Sequence, residues 1–513
     1  MNFIDRVIDF VSPTAGNARR AERLRAESYA MAELEMRAYA GAKESRGWDD
    51  WNPTGTGANA EIGSSVIKMR NRVRQLYRDN GIANNIINLL VVNLVGDGIT
   101  ATFEGTASAR RNKRWDIWFG STQCDADGIY DGYGLQALST RIMAEAGGVI
   151  IRRRWRSPFD YPDLAVPMQL QVLEPDFIDL QKNGANPDNG NLIIQGIEFD
   201  RTNPSKRVAF WMYREHPGEN TVVPMSGLSS IRVDAADVIY MFRKERNNIH
   251  GISWLHAAVP HIKHFDDYVE TLELKAKIEN CFTLFIEDDG SIDMPGTAPK
   301  KRQDFKAQPG MVRYLSKGQK ITAFNPSDSG GHTMLLQNFV RMIAVSVGIP
   351  YDLVWSDLTG ANYSSLRVGS HSFRQRVSQN QWHILVPNIV ETPARWFDEA
   401  GDRAGYWTAG KYTLSVTMPK VIAIDPKKDG DAEVRDMENG LLTWADGVRS
   451  RGVNPNKQRA ALKKEIAEFE ADGMQHPMSR AAVVAKNAAT SGGAPEDGKP
   501  PDEDDPVEKE EAA

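Results

Sequence analysis

The chain has 513 residues, 41% hydrophobic and 25% charged, the balance of a soluble globular protein with room for roughly two to four domains. No window reaches the ~18 apolar residues that a bilayer span requires, so a membrane role is not expected. The net charge of −6 sits in the tail: Glu496–Ala513 carries nine acids and two lysines, the other 495 residues sum to +1, and such a near-neutral body argues against a tight grip on nucleic acid over the whole surface.

The opening "MNFIDRVIDFVSPTAGNARR" lacks the basic, apolar, small order of a secretory signal. Residues 19–46, rich in Ala, Glu and Arg, read as helix, and "GWDDWNPTGTGANAEIGSS" (47–65) reads as a loop. Helical spacing returns at 66–81, with Val66, Met69, Val73 and Leu76/Tyr77 on one stripe and Arg70, Arg74 and Arg78 on another. Asn80-Gly81 reads as the stop of that helix. A second helix from about Ala83 to Leu94 contains "IINLLVVNLV" (86–95), which Asn88 and Asn93 mark as a buried helix.

From Met168 to Arg243 the texture becomes β-rich: "MQLQVLEP", "LIIQGIEFD", "RVAFWMYREH" and "DVIYMFRKE" are parted by Gly, Asn and Pro. A long helix is expected over 253–279, with Leu255, Val259, Ile262, Phe265, Val269, Leu272 and Ala276 on one face and Pro260 bending its start. A helix over 333–347 stops at Gly348 and Pro350, and another over about 363–399 carries Pro387 and Pro393. Asp425-Pro426 and Asn454-Pro455 read as cap and first turn of two further helices. The last ~35 residues are too rich in Gly, Pro and acid to bury a core.

Several motifs suggest chemistry, and each also has a structural reading. Ser364 and His371 in "NYSSLRVGSH" invite a nucleophile and its base. No G-x-S-x-G surrounds the serine, and seven helical residues separate the two by ~10 Å, too far for proton transfer. The Asn and Ser residues read instead as helix caps. "GYWTAGKY" (405–412) matches part of a phosphate-binding loop through Gly405, Gly410 and Lys411. Tyr412 stands where magnesium needs Ser or Thr, and a strand-like "TLSVTMP" follows where a helix is required. His261 and His264 lie at i, i+3 with Asp267 beyond, a spacing that could bring two imidazoles to one metal, but there is no H-E-x-x-H order and no evident third ligand, and a partly exposed helix face is the structural reading. Cys124 and Cys281 define no disulfide framework or zinc site, which points to folding in a reducing compartment. Arg70–Arg78, "RRNKRW" (110–115) and "RRRWR" (152–156) could touch phosphate, or form solvated helix faces or intersubunit ion pairs. No catalytic residue, metal ligand or cofactor site is assigned.

Five stretches together resemble the portal proteins of tailed bacteriophages, in particular the lambda-type group. They are "YAGAKESRGWDDW" (39–51), "MRNRVRQLYRDNGIANNIINLLVVNLVGDGI" (69–99), "ADVIYMFRKERNNIHGISWLHAAV" (236–259), "VGIPYDLVWSDLTGANYSSLR" (347–367) and "PKVIAIDPKKDGDAEVRDMENGLLTWADGVRSRG" (419–452). The resemblance implies an α+β, mainly helical fold with helical stem and crown and a β-containing wing and clip. It implies a homo-oligomeric ring, usually of about twelve copies, at one capsid vertex. Double-stranded DNA passes through it non-specifically during packaging and ejection. Its partners are the terminase large subunit, then head–tail connector or adaptor proteins, with the major capsid and scaffolding proteins around it. It implies no catalysis, assembly in the host cytoplasm, and a final place in the virion.

On this resemblance residues 1–65 are an N-terminal arm and loop, 66–165 a helical wing region and 166–250 a β-rich wing or clip region. Residues 251–282 are the stem helix, and 283–332 a β/loop segment with a candidate tunnel loop at 325–333. Channel or wing helices follow over 333–400, a helical crown over 401–475 and an acidic tail over 476–513. Lys320, Ser327, Ser329, His332, Arg367, Arg374 and Arg376 are the channel candidates. The alternatives are another phage structural protein, connector or shell subunit, and a DNA-processing ATPase or nuclease.

Overall fold

The computed structural model describes Glu22, Arg25 and residues 55–219, 229–281, 285–288, 319–322, 331–356, 363–420 and 426–478. The side chains of 278–281, 285–288, 319–322 and 363–368 lie outside that description. Residues 1–57 form one unit, in which Glu22 and Arg25 are helical, and 58–513 form another.

The second unit opens with α1 (Ala58–Asp79) and α2 (Gly81–Leu94). α1 starts inside the stretch expected to be loop. Long-range contacts hold that first turn: Asn59 Oδ1 accepts from Ile249 N at 2.9 Å, and Glu61 pairs with Arg246 at 2.9 Å. Tertiary contacts thus outweigh the weak propensity of "GSS". Asn80 ends α1 and caps α2, its Oδ1 accepting from Ala83 N at 2.9 Å. Strand β1 (Thr100–Gly105), α3 (Ser108–Phe119) and α4 (Gly132–Ala146) follow.

The β-rich region forms two antiparallel sheets. β2 (Gly148–Trp155) lies between β3 (Met168–Leu173) and β9 (Val238–Phe242). The second sheet runs β4 (Gly184–Ala185), β5 (Leu192–Ile194), β6 (Ile197–Phe199), β7 (Arg207–Tyr213) and β8 (Ser230–Asp234), in chain order. Strand alternation makes the first sheet a septum between two cores. Ile151, Val172 and Ile239 pair across it and face the large helical core. Their neighbours Ile150, Leu173 and Tyr240 face the smaller core with Ile197, Phe210 and Met212 of the second sheet.

The long helix α5 (Val259–Cys281) begins six residues later than expected. Pro260, which lacks an N–H, sits in its first turn, where no donor is lost. A hairpin of β10 (Phe285–Asp288) and β11 (Gln319–Thr322) follows, pairing Glu287 with Lys320. Next come α6 (His332–Val347), packed on α5, then α7 (Tyr351–Trp355) and α8 (Tyr363–Asn380). α8 runs on through a π-wound segment, Gln381–Glu391, into α9 (Thr392–Arg403). The wider winding accommodates Pro387, and side chains serve carbonyls there: Asn388 Nδ2 donates to Ile384 O at 2.7 Å and Thr392 Oγ1 to Pro387 O at 2.8 Å.

The strand-like stretch after Lys411 is β12 (Tyr412–Thr417), paired antiparallel along all of β1. α10 (Pro426–Glu438), α11 (Trp444–Ser450) and α12 (Pro455–Ala471) complete the described chain. Asn454 caps α12 as its sequence suggests, accepting from Asn456 N and Lys457 N. Asp425 lies outside the described residues. The heart of the large core is aromatic: Trp115 stacks on Phe119 at 4.4 Å and meets Phe397 edge-on at 5.1 Å. Among the described residues no helix is long and apolar enough to cross a membrane.

Candidate functional site

The three basic clusters are the sequence features that most directly suggest a nucleic-acid surface, and in each the fold turns an arginine inward. On α1, Arg70 and Arg74 lie one turn apart and converge on Asp176, carried by the 3-10 turn Pro175–Phe177. Arg70 Nη1 is 3.0 Å from one Asp176 oxygen and Arg74 Nη2 is 2.6 Å from the other. Arg74 also meets Glu174 at 3.0 Å, and His216 Nε2 reaches the same Glu174 oxygen at 3.0 Å. Burial pushes the Asp176 carboxyl up, but Arg70 and the hydrogen bond from Arg74 outweigh it and hold the group below the ordinary carboxylate range. Glu145, farther from Arg74 at 3.8 Å, is raised, because its burial is less well compensated. Arg78, at the exposed end of the stripe, pairs with Asp79.

In the second cluster Arg111 is buried and meets Asp398 of α9 at 2.8 Å, with Trp407 and Tyr412 over its guanidinium. In the third, Arg152–Trp155 of "RRRWR" lie in β2. Arg153 points into the large-core side and pairs with Asp237 at 2.8 Å and Glu399 at 2.5 Å, between Trp155 and Trp396. Arg152 on the opposite face has its pKa lowered by burial and by neighbouring Arg154.

The phosphate-loop reading fails on geometry. β12 follows Lys411 directly, so no helix N-terminus faces the loop. Asp398 organises the loop instead, accepting from Gly410 N at 2.7 Å. His261 and His264 do lie on one helix, but Lys263 takes Asp267 at 2.5 Å. Among the described residues the one grouping with ligand spacing is Glu174, Asp176 and His216. Arg70 and Arg74 place their two positive charges on those carboxylates, where a cation would have to bind. Cys124 is buried, its thiol pushed up to about 12 by desolvation, so it stays protonated and inert.

The channel candidates are dispersed along the chain. Lys320 lies in β11 and Arg367 in the first turns of α8. Ser327 and Ser329, with most of the candidate loop 325–333, lie outside the described residues. His332 opens α6 and its Nδ1 meets Tyr268 Oη of α5 at 2.5 Å. Arg374 is half-buried, and Arg376 lays its guanidinium against Gly348. His332 is thus tied to α5, whereas Arg374 and Arg376 share α8. Ser364 and Ser365 fall in the first turn of α8, and His371 is exposed.

Sequence reasoning passed over His250. It is buried, with Nε2 3.0 Å from Gln195 O and Nδ1 3.0 Å from Tyr240 Oη. A carbonyl can only accept, so Nε2 carries the proton and Tyr240 donates to Nδ1. Burial lowers its pKa to about 4, so it is neutral at pH 7. It also passed over Glu198, whose buried carboxylate accepts from Asn186, Asn189, Asn191 and Arg232. The cluster of Asn residues in "NPDNGN" was its one local signal.

The sequence model of the family described as phage portal protein, lambda family, matches residues 44–381. A protein of Halomonas phage phiHAP-1 named "Probable portal protein" is 25% identical over 470 residues, covering 86% of this chain and 88% of that one. Among solved structures the chain is similar to the neck of a native GTA particle computed with C12 symmetry. Identity is 14% and the TM-score 0.45, over 76% of this chain and 94% of that one. It is also similar to the neck of an empty GTA particle computed with C6 symmetry, at 14% identity and TM-score 0.44, over 79% and 96%.

Proposed function

The chain belongs to the lambda family of phage portal proteins, and from that premise we propose that copies of it close into a ring of about twelve at one capsid vertex. Double-stranded DNA passes non-specifically through the ring during packaging and ejection. The terminase large subunit docks on it first, and head–tail connector or adaptor proteins take its place. The ring assembles in the host cytoplasm among major capsid and scaffolding proteins and remains in the virion. The role is mechanical and uses no catalytic group or cofactor.

The observation that carries the conduit reading is the inward turn of the basic clusters. Arg70, Arg74, Arg111 and Arg153 are each held by carboxylates of the same chain. Each phosphate contact a wall retains adds to salt-dependent affinity and opposes sliding, so a wall that spends its arginines internally suits a moving polymer. In this reading 251–282 is the stem, 166–250 the wing or clip and 401–475 the crown. The candidate tunnel loop 325–333 and Lys320, His332, Arg367, Arg374 and Arg376 are our proposed contributors to the channel.

Electron microscopy of the full chain coexpressed with its capsid protein tests the reading. Rings with a central hole are expected, at about a dozen copies per particle, where a shell subunit would number in the hundreds. Persistent monomers at high concentration would overturn it. Deleting 326–331 should impair DNA retention more than ring assembly, and normal packaging without those residues would remove the loop from the channel.

A further inference from the structure

Helix α12 carries an apolar stripe that the described chain covers only in part. Leu462, Ile466 and Phe469, with Gln458 one turn earlier, lie within about 80° of the helix circumference. These four are half-buried, and every other residue from Asn456 to Ala471 is exposed. The three apolar ones belong to neither of the two cores. α11 packs on the helix, with Arg459 over the Trp444 ring.

The chain then turns back along this stripe. Gly473, at φ +71°, ends the helix, and Met474 N donates to Phe469 O at 2.9 Å, the six-to-one bond of a Schellman turn. His476 is 5% exposed, its ring edge-on to Phe469 at 5.1 Å and its Nε2 3.6 Å from Glu465. The return therefore runs antiparallel to α12 and heads for Leu462 and Gln458. Its last described residue, Met478, is 59% exposed.

We propose that Ser479–Ala489 of the same chain continues the return as a second helix seated on the α12 stripe, so that the two close a helical hairpin. Residues 479–513 lie outside the described residues, and their sequence argues for this occupant. Ser479–Thr490 holds no Gly, Pro or acid, unlike the tail beyond it. Ala481, Val484, Ala485 and Ala488 fall at i, i+3, i+4 and i+7, and Ser479 is a capping residue type. Small side chains on that face let two helix axes approach closely. With His476 level with Glu465 and Phe469, equal rise on both arms sets Ala481 against Leu462 and Ala485 against Gln458. The connection over 472–478 is of ordinary length for two neighbouring helices. The hairpin also fixes where the acidic tail starts. The nine acids of Glu496–Ala513 then begin near the N-terminal end of α12, which Asn454 ties to β1 by donating to Thr102 Oγ1 at 2.8 Å. This contact is independent of the ring reading above.

The test uses the full chain with Cys281→Ser, the buried Cys124 being inert. Gln458→Cys with Ala485→Cys sets two thiols on the facing stripes. Ala460→Cys, exposed on the far side of α12, with Ala485→Cys is the control. On mild oxidation the facing pair should close an intrachain disulfide roughly tenfold faster than the control, read by mass and non-reducing gel. Val484→Asp should erase that difference, and Val483→Asp, on the opposite face of the second helix, should leave it. In the unaltered chain, amides of Ala481–Ala488 should exchange roughly tenfold slower than those of 496–513. Equal closure rates, or equal exchange rates, would overturn the hairpin. Disulfides between copies rather than within one would show a neighbour's tail on the stripe and overturn it too. So would an effect of Val483→Asp without one of Val484→Asp, the pattern of an extended return.

Discussion

Arg111 and Asp398 are 287 residues apart in the chain and 2.8 Å apart in the fold, with side chains 1% and 2% exposed. The pair ties α3 to α9, and the same carboxylate holds the loop before β12 through Gly410 N. Arg111 Nη2 donates to Thr408 O at 2.8 Å, so both ends of the ion pair bind that loop. Two charges this deep are tolerated because each is paired and hydrogen-bonded.

Removing one partner strands the other. Asp398→Ala is expected to cost about 3–5 kcal/mol, whereas Arg111→Met with Asp398→Leu should cost clearly less than Asp398→Ala alone. Thermal and urea unfolding at pH 7 give both numbers. Equal losses would mean the pair is solvated.

Glu198 should make the second sheet acid-sensitive. Its burial opposes ionisation, but hydrogen bonds from Arg232 and three asparagines prevail and bring the pKa down from 4.5 to about 2. A depressed carboxylate adds stability that is fully present above 4.5 and lost as pH falls towards 2. Glu198→Gln should be destabilised by about 1–3 kcal/mol at pH 7. Its deficit against wild type should shrink as unfolding is measured at successively lower pH within that window.

His250 works in the same direction in a higher window. Its folded pKa of about 4 lies below the ordinary 6.5, because burial disfavours the imidazolium. The unfolded chain binds a proton first, so stability falls as pH drops from 6.5 towards 4. Side-chain NMR should show the His250 ring neutral at pH 6, and a ring half-protonated there would contradict its burial.

Gly348 closes α6 with φ +71°, its N–H bonded to Ala344 O, and a Cβ there would run into the Arg376 guanidinium. Gly348→Ala should lose about 1 kcal/mol to the left-handed backbone, plus whatever the displaced guanidinium costs. Adding Arg376→Ala should recover the second part and leave the first, which a double-mutant cycle on melting temperature measures. Full additivity would show that the two residues do not touch.

Local physics made much of this protein legible in its residues. Asn80, Asn454-Pro455 and Gly348 mark helix ends because a cap depends on neighbours within a turn. The strands of 168–243 and the helix expected over 333–347 follow from period and composition in the same way. The family resemblance carried by five ordered stretches stands, and the match over 44–381 covers three of them wholly and the first from residue 44 onward.

Tertiary structure decided the rest. Whether "RRRWR" meets phosphate or carboxylate depends on Asp237 and Glu399, which only the folded sheet brings to Arg153. The start of α1 rests on Ile249 and Arg246, nearly two hundred residues away. The sequence placed apolar residues on more than one side of α6, and packing alone chose Val340, Ile343 and Ala344 to face inward. Helix caps and strand alternation are encoded within a few residues, whereas charge partners and the choice of buried face are set by which distant segments the folded chain brings together.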